Sequence, residues 1–83
     1  MEIKFTTQAA NDLDKLPSKI ADRFEKIYEN LKNWPEVSGC FPLRHNLSGL
    51  YKKRFGDYRV IFKVEKKTLI IEKIAHRRDV YKE

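Results

Sequence analysis

Apolar and polar positions recur along this chain with periods that change, and each change marks an element. From Glu2 to Thr6 they alternate, with Ile3 and Phe5 against Glu2 and Lys4, which predicts a half-buried first strand. Thr6 and Thr7 are suited to cap a helix, and Ala9, Ala10, Leu13 and Leu16 recur at helical spacing until Pro17 stops a helix of roughly ten residues. Ser18 is placed to cap a second helix, whose stripe of Ile20, Phe24, Ile27, Tyr28 and Leu31 reads as core packing, and Pro35 closes it. The passage from Trp34 to Ser48 reads as a connection. Leu47, Gly49 and Leu50 lead into a second strand, Tyr58 to Glu65 form a third, and Lys66-Lys67 turn the chain into a fourth from Thr68 to Ala75. One strand, two helices and three strands in a row predict an α+β fold of two layers, β-α-α-β-β-β. An antiparallel sheet should carry both N-terminal helices on one face.

The second and third strands form a hairpin around Gly56-Asp57, flanked by Phe55 and Tyr58, where a glycine at the first loop position suits a type II′ turn. Counting outward sets Arg54 opposite Arg59, Lys53 opposite Val60, Lys52 opposite Ile61 and Tyr51 opposite Phe62. Alternation then gathers Lys52, Arg54, Arg59 and Lys63 on one face, and Tyr51, Phe55, Tyr58, Val60, Phe62 and Val64 on the other. Opposed like charges cost a sheet on the order of the 0.2 to 1 kcal/mol that a good cross-strand pair contributes, so the cationic face asks for a polyanion. Continuing across Lys66-Lys67 sets Phe62 opposite Ile71 and Arg59 opposite Ile74, with His76 emerging on the cationic side.

Composition sharpens this picture. Eighty-three residues make one small domain, 1–83, with room for a single modest core. The net charge of +6 is unevenly placed: residues 1–43 hold six Lys and Arg against seven Asp and Glu, and residues 44–83 hold twelve against five. A basic C-terminal half favours nucleic acid as partner. The single cysteine, Cys40, excludes an internal disulfide and a cysteine-based metal cluster. No apolar run resembles a signal peptide or a membrane span, so a cytoplasmic protein without membrane association is expected.

The common hydrolase signatures are missing: there is no Gly-rich phosphate loop and no G-x-S-x-G. Nor is there a carboxylate cluster suited to magnesium, so no metal or other cofactor is expected. The tail His76-Arg77-Arg78-Asp79-Val80-Tyr81 can converge with the hairpin. Metal-free cleavage of RNA needs a base for the 2′-OH, cations for the phosphorane and an acid for the leaving oxygen. Lysines and arginines supply the cations, and a lysine crowded by other cations becomes a better base. His76 or Tyr81 is available for the remaining proton transfer, and Tyr81 is able to stack on a splayed base.

The element order, the segment from Leu50 to Phe62 and the ending from Ile74 to Tyr81 resemble the RelE branch of the RelE/ParE toxin superfamily, over nearly the whole chain. The resemblance implies the toxin of a type II toxin–antitoxin system, a ribosome-dependent and metal-independent endoribonuclease that cuts translated mRNA in the decoding site. It implies as partners the ribosome, mRNA and a cognate acidic antitoxin like RelB, in a hetero-oligomer. By residue, Lys52 matches the family's general base, Arg54 a second basic position and Arg59 the phosphate-binding arginine. Tyr81 matches the C-terminal tyrosine, and Arg77 the tail arginine, although an ungapped match on Val80-Tyr81 sets Ala75 there instead. Lys53, Lys63 and His76 complete the expected set as substrate contacts. Two alternatives remain beside this reading, a ParE-like inhibitor of DNA gyrase and a non-catalytic basic RNA-binding domain.

Overall fold

The computed structural model describes residues 1–80, with His45 described by its backbone alone. Strand β1 (Glu2–Phe5) is followed by helices α1 (Thr7–Asp14) and α2 (Ser18–Leu31). Then come β2 (Cys40–Pro42), a 3-10 turn (His45–Leu47), β3 (Tyr51–Phe55), β4 (Tyr58–Glu65) and β5 (Thr68–His76). The strands lie in the order β1-β5-β4-β3-β2. The two-layer α+β expectation holds, with two refinements. The sheet is mixed, because β1 runs parallel to β5 while the other pairs are antiparallel. And the expected connection contains β2, a three-residue edge strand pairing Cys40 with Lys53, too short to leave an alternating signature. No helix is long and apolar enough to cross a membrane.

Thr6 fixes the start of α1. Its hydroxyl accepts from Ala9 N–H at 3.1 Å and donates to Glu72 O at 3.1 Å, while its backbone N–H bonds Ile71 O at 3.0 Å. One residue therefore caps the helix and ties it to β5. The helix spans eight residues rather than ten, and Ala10 turns outward. In α2 the cap position falls to Pro17 instead of Ser18, with no side-chain cap. The Pro17 carbonyl accepts from Ile20 and Ala21 at 2.9 Å each.

The core lies between the helices and one face of the sheet, where Val60, Phe62, Leu69 and Ile71 are fully enclosed together with Leu31 of α2. Aromatic rings fill much of it. Phe24 meets Phe5, Tyr28 and Phe55 at centroid distances of 6.1, 6.5 and 5.9 Å, and Trp34 meets Tyr51 and Phe62 at 4.9 and 5.4 Å. Phe24 and Tyr28 are thus core residues, as their helical spacing predicts. Truncating one such ring costs about 3–5 kcal/mol. Against a stability of about 4–12 kcal/mol for a domain of this size, any one of them is a large share.

Register is kept strictly from Val64↔Leu69 to Phe62↔Ile71 and then slips, with Ile61 opposite Lys73, Val60 opposite Ile74, Arg59 opposite Ala75 and Tyr58 opposite His76. Glu72 is the extra residue of a β-bulge. This corrects the expected Arg59–Ile74 pairing, and with it the face of everything downstream. Ile74, which strict alternation from Ile71 would turn outward, is 3% exposed in the core. His76 follows it to the helix side. The bulge is held by α1: Thr6 Oγ1 donates to Glu72 O, and the Asp12 carboxylate accepts from Ile74 N–H at 3.1 Å. The backbone groups that the slip would leave unpaired are satisfied in this way.

Candidate functional site

The hairpin forms in the predicted register, pair for pair from Phe55↔Tyr58 to Tyr51↔Phe62. Gly56 takes a φ of 63° and Asp57 does not enter the positive region, the signature of a type II′ turn. Because a two-residue loop is closed by a hydrogen-bonded pair, the next pair outward, Arg54 and Arg59, is of the narrow kind, with Cα atoms about 4.5 Å apart. Two guanidinium stems thus rise side by side from the face away from the helices. Arg59 Nη1 donates to Gly56 O at 3.1 Å and to Tyr58 O at 2.9 Å. Its Nε and Nη2 stay unengaged among the described residues, and Arg54 is exposed with no hydrogen-bond or ion-pair partner among them.

The tail reaches the same turn. Arg77 N–H bonds Asp57 O at 2.7 Å, and Arg77 Nε lies 4.0 Å from Asp57 Oδ1. Both side chains are more than 60% exposed, at 63% and 69%, so the pair adds little stability. The backbone bond fixes position, because it sets Arg77 at Asp57, at the turn that joins the strands of Arg54 and Arg59. Lys52, opposite Ile61, lies on that face one step further from the turn, half-buried and without an ion-pair partner among the described residues. Arg23 also arrives from α2: a methyl group on Gly56 would lie 2.8 Å from its Nη1. Nothing in the periodicity of α2 singles out Arg23. Its one local signal was its place immediately before Phe24, whose ring packs on Phe55 next to the turn.

Three expected members of the set are not part of it: two lie elsewhere and one is neutralised by carboxylates. Lys53 is on the helix side opposite Val60, and its ammonium donates to Ser38 O at 2.7 Å, where it holds the connection to β2. Lys63 shares the cationic face but pairs with Glu65 at 3.1 Å and Glu72 at 3.4 Å. Its bond to Glu65, then that to Glu72, push its pKa above the usual lysine value. It keeps its proton, and its field is largely cancelled. His76 stands on the opposite side from Arg59, edge-on to Tyr58 at 5.4 Å, with Nδ1 accepting from Arg78 N–H at 3.2 Å. There it lines a groove of about 490 Å³ with Gln8, Asp12, Lys15 and Asp79. The bulge explains the misplacement, since one extra residue at Glu72 exchanges the faces of His76 and its neighbours. Tyr81 lies outside the described residues.

Lys52, Arg54, Arg59 and Arg77 therefore form one array, in which Asp57 is paired with Arg77 among the described residues. Paired guanidinium groups offer forks of donors that match phosphate oxygens. The array suits the backbone of a single-stranded nucleic acid. Among the described residues no group of three or more His, Cys, Asp or Glu side chains is arranged to hold a metal ion.

Residues 3–81 match the family model described as "ParE toxin of type II toxin-antitoxin system, parDE". The chain is 37% identical over 83 residues to Toxin RelG of Mycobacterium tuberculosis, covering 96% of this chain and 94% of that protein. Among solved structures it resembles a chain of the toxin–antitoxin complex RelBE2 of the same organism, at 32% identity and a TM-score of 0.81 over 94% of this chain and 92% of that one. It also resembles a chain of the archaeal RelE-RelB complex of Pyrococcus horikoshii, at 30% identity and a TM-score of 0.75 over 95% and 97% of the two chains.

Proposed function

The chain belongs to the ParE toxin family of type II toxin–antitoxin systems, as a RelE-like toxin, and we propose that it is a ribosome-dependent endoribonuclease that cleaves translated mRNA. The observation that carries this reading is the opposed pair Arg54 and Arg59, with Arg59 anchored to the turn by one nitrogen and open on the rest.

In the reaction a base removes the 2′-OH proton, and the oxygen attacks the adjacent phosphorus to form a phosphorane. The bond to the 5′-oxygen then breaks as that oxygen takes up a proton, leaving a 2′,3′-cyclic phosphate and a 5′-OH. Lys52 is the candidate base, reaching from the same face one step along β3. Arg54 and Arg59 are suited to neutralise the phosphorane, since preorganised donors at developing charge are the largest catalytic contribution in such sites. Arg77, bonded to Asp57 at the turn, is assigned to the leaving oxygen, and Tyr81 is assigned to stack on a base. His76 lies outside this array, on the helix side of the sheet, and this reading assigns it no step.

The relatives solved as complexes carry a RelB antitoxin, and a RelB-like acidic antitoxin is the partner proposed here, covering the cationic face in a cytoplasmic hetero-oligomer. An acidic segment that folds on binding would be drawn to this array and would occlude it.

Primer extension on translated messages after induction tests the activity. Cleavage inside codons at the ribosomal A site is expected, and Arg59→Ala should reduce it about 100-fold or more while antitoxin binding in a pull-down is retained. A variant that still arrests growth overturns the site. The ParE family model favours one second reading, a gyrase inhibitor: trapped gyrase–DNA complexes with intact messages would select it.

A further inference from the structure

Arg23 sits on α2, which packs against the other side of the sheet, yet its guanidinium lies against the backbone of Gly56 at the hairpin tip. The approach is built in. Phe24, the next residue, is 3% exposed and packs on Phe55 at 5.9 Å, so α2 is pinned directly beneath the pair that closes the turn. Arg23 itself is exposed and makes no hydrogen bond or ion pair among the described residues. The docking of α2 thus sets where Arg23 leaves the helix, and its donors reach the turn without a partner among the described residues. Arg54, Arg59 and Arg77 approach the same turn from β3, β4 and the tail, and Asp57 is the acid among them. Gathering like charges opposes folding, whereas a run of phosphates is stabilised by them.

We propose that Arg23 is a substrate-binding residue, contacting a phosphate of the RNA strand next to the one held by Arg54 and Arg59. The inference rests on the nuclease reading above and extends the interface around the tip of the hairpin onto the helical layer. The strand would then pass around the tip of the hairpin, where Arg23 lies over Gly56. Arg23 takes no part in bond making; its role is to hold the strand in register.

The test is equilibrium binding of the full-length toxin to message-programmed ribosomes across a salt series, for wild type, Arg23→Ala, Arg23→Lys and Arg23→Glu, with thermal melting alongside. Each phosphate contact contributes about 0.7–0.9 to the slope of log affinity against log salt. Arg23→Ala should lower the slope by that amount, Arg23→Lys should keep it, and Arg23→Glu should weaken binding further. An unchanged slope in Arg23→Ala overturns the proposal, and a melting shift with that unchanged slope assigns Arg23 to covering the turn. Wild type that binds without cutting defeats the nuclease reading while the slope still decides the role of Arg23. Wild type that does not bind defeats both.

Discussion

One nitrogen of Arg59 closes over the carbonyls of Gly56 and Tyr58, so the side chain is held over the turn before any ligand arrives. A guanidinium fixed at one end loses less freedom on meeting a phosphate than a free one. Gly56 supports this geometry by adopting a φ of 63°, where other residues are strained. Gly56→Ala should therefore cost about 1–2 kcal/mol, read as a lower midpoint in urea. Arg23 Nη1, 2.8 Å from the added methyl, is the end of a flexible side chain and moves aside, so the cost is one of backbone. Lys63 makes a useful contrast at this scale. It is a cation on the same face, but two carboxylates hold it, which removes it from the free positive array.

At the scale of elements, the hairpin and the tail were legible to different degrees, for physical reasons. A two-residue loop admits one register, and Gly56-Asp57 between Phe55 and Tyr58 was enough to set every pair of β3 with β4. The pairing of β5 was legible only as far as Ile71. Beyond it the two charges Glu72-Lys73 stand between Ile71 and Ile74, and a strict alternation would have buried Lys73 and exposed Ile74. That clash was the sequence's own sign of a bulge, but the groups that hold it come from α1, some sixty residues earlier, and periodicity is blind to them. Arg23 and β2 were missed for the same kind of reason, one depending on how a helix docks and the other on three residues pairing with a distant strand. Asp12→Ala should thus strand the Ile74 N–H and destabilise the fold by about 1–3 kcal/mol, measured by denaturant unfolding with an unchanged m-value. Wild-type stability in that variant would mean that the bulge holds itself.

Across the whole molecule, charge is sorted by layer. The chain to Leu43, which supplies both helices, is nearly neutral, and the rest, which supplies β3 to β5, carries the excess of cations. A toxin built this way should approach RNA sheet first. With four to five phosphate contacts, raising salt from about 50 to 200 mM should weaken ribosome association roughly a hundredfold. A flat response in sedimentation would contradict a phosphate-led interface. The bulge at Glu72 matters on this scale too. A strand addresses its residues to two sides in turn, as a reading frame assigns letters to words, and the extra residue shifts the frame once. Upstream of it β5 is in phase with the core, and downstream it delivers His76 to the helical side and Arg77 to the turn where Arg54 and Arg59 wait. Deleting that single residue would change the net charge by one unit and leave the hairpin as it is, and would send the tail to the wrong side of the sheet.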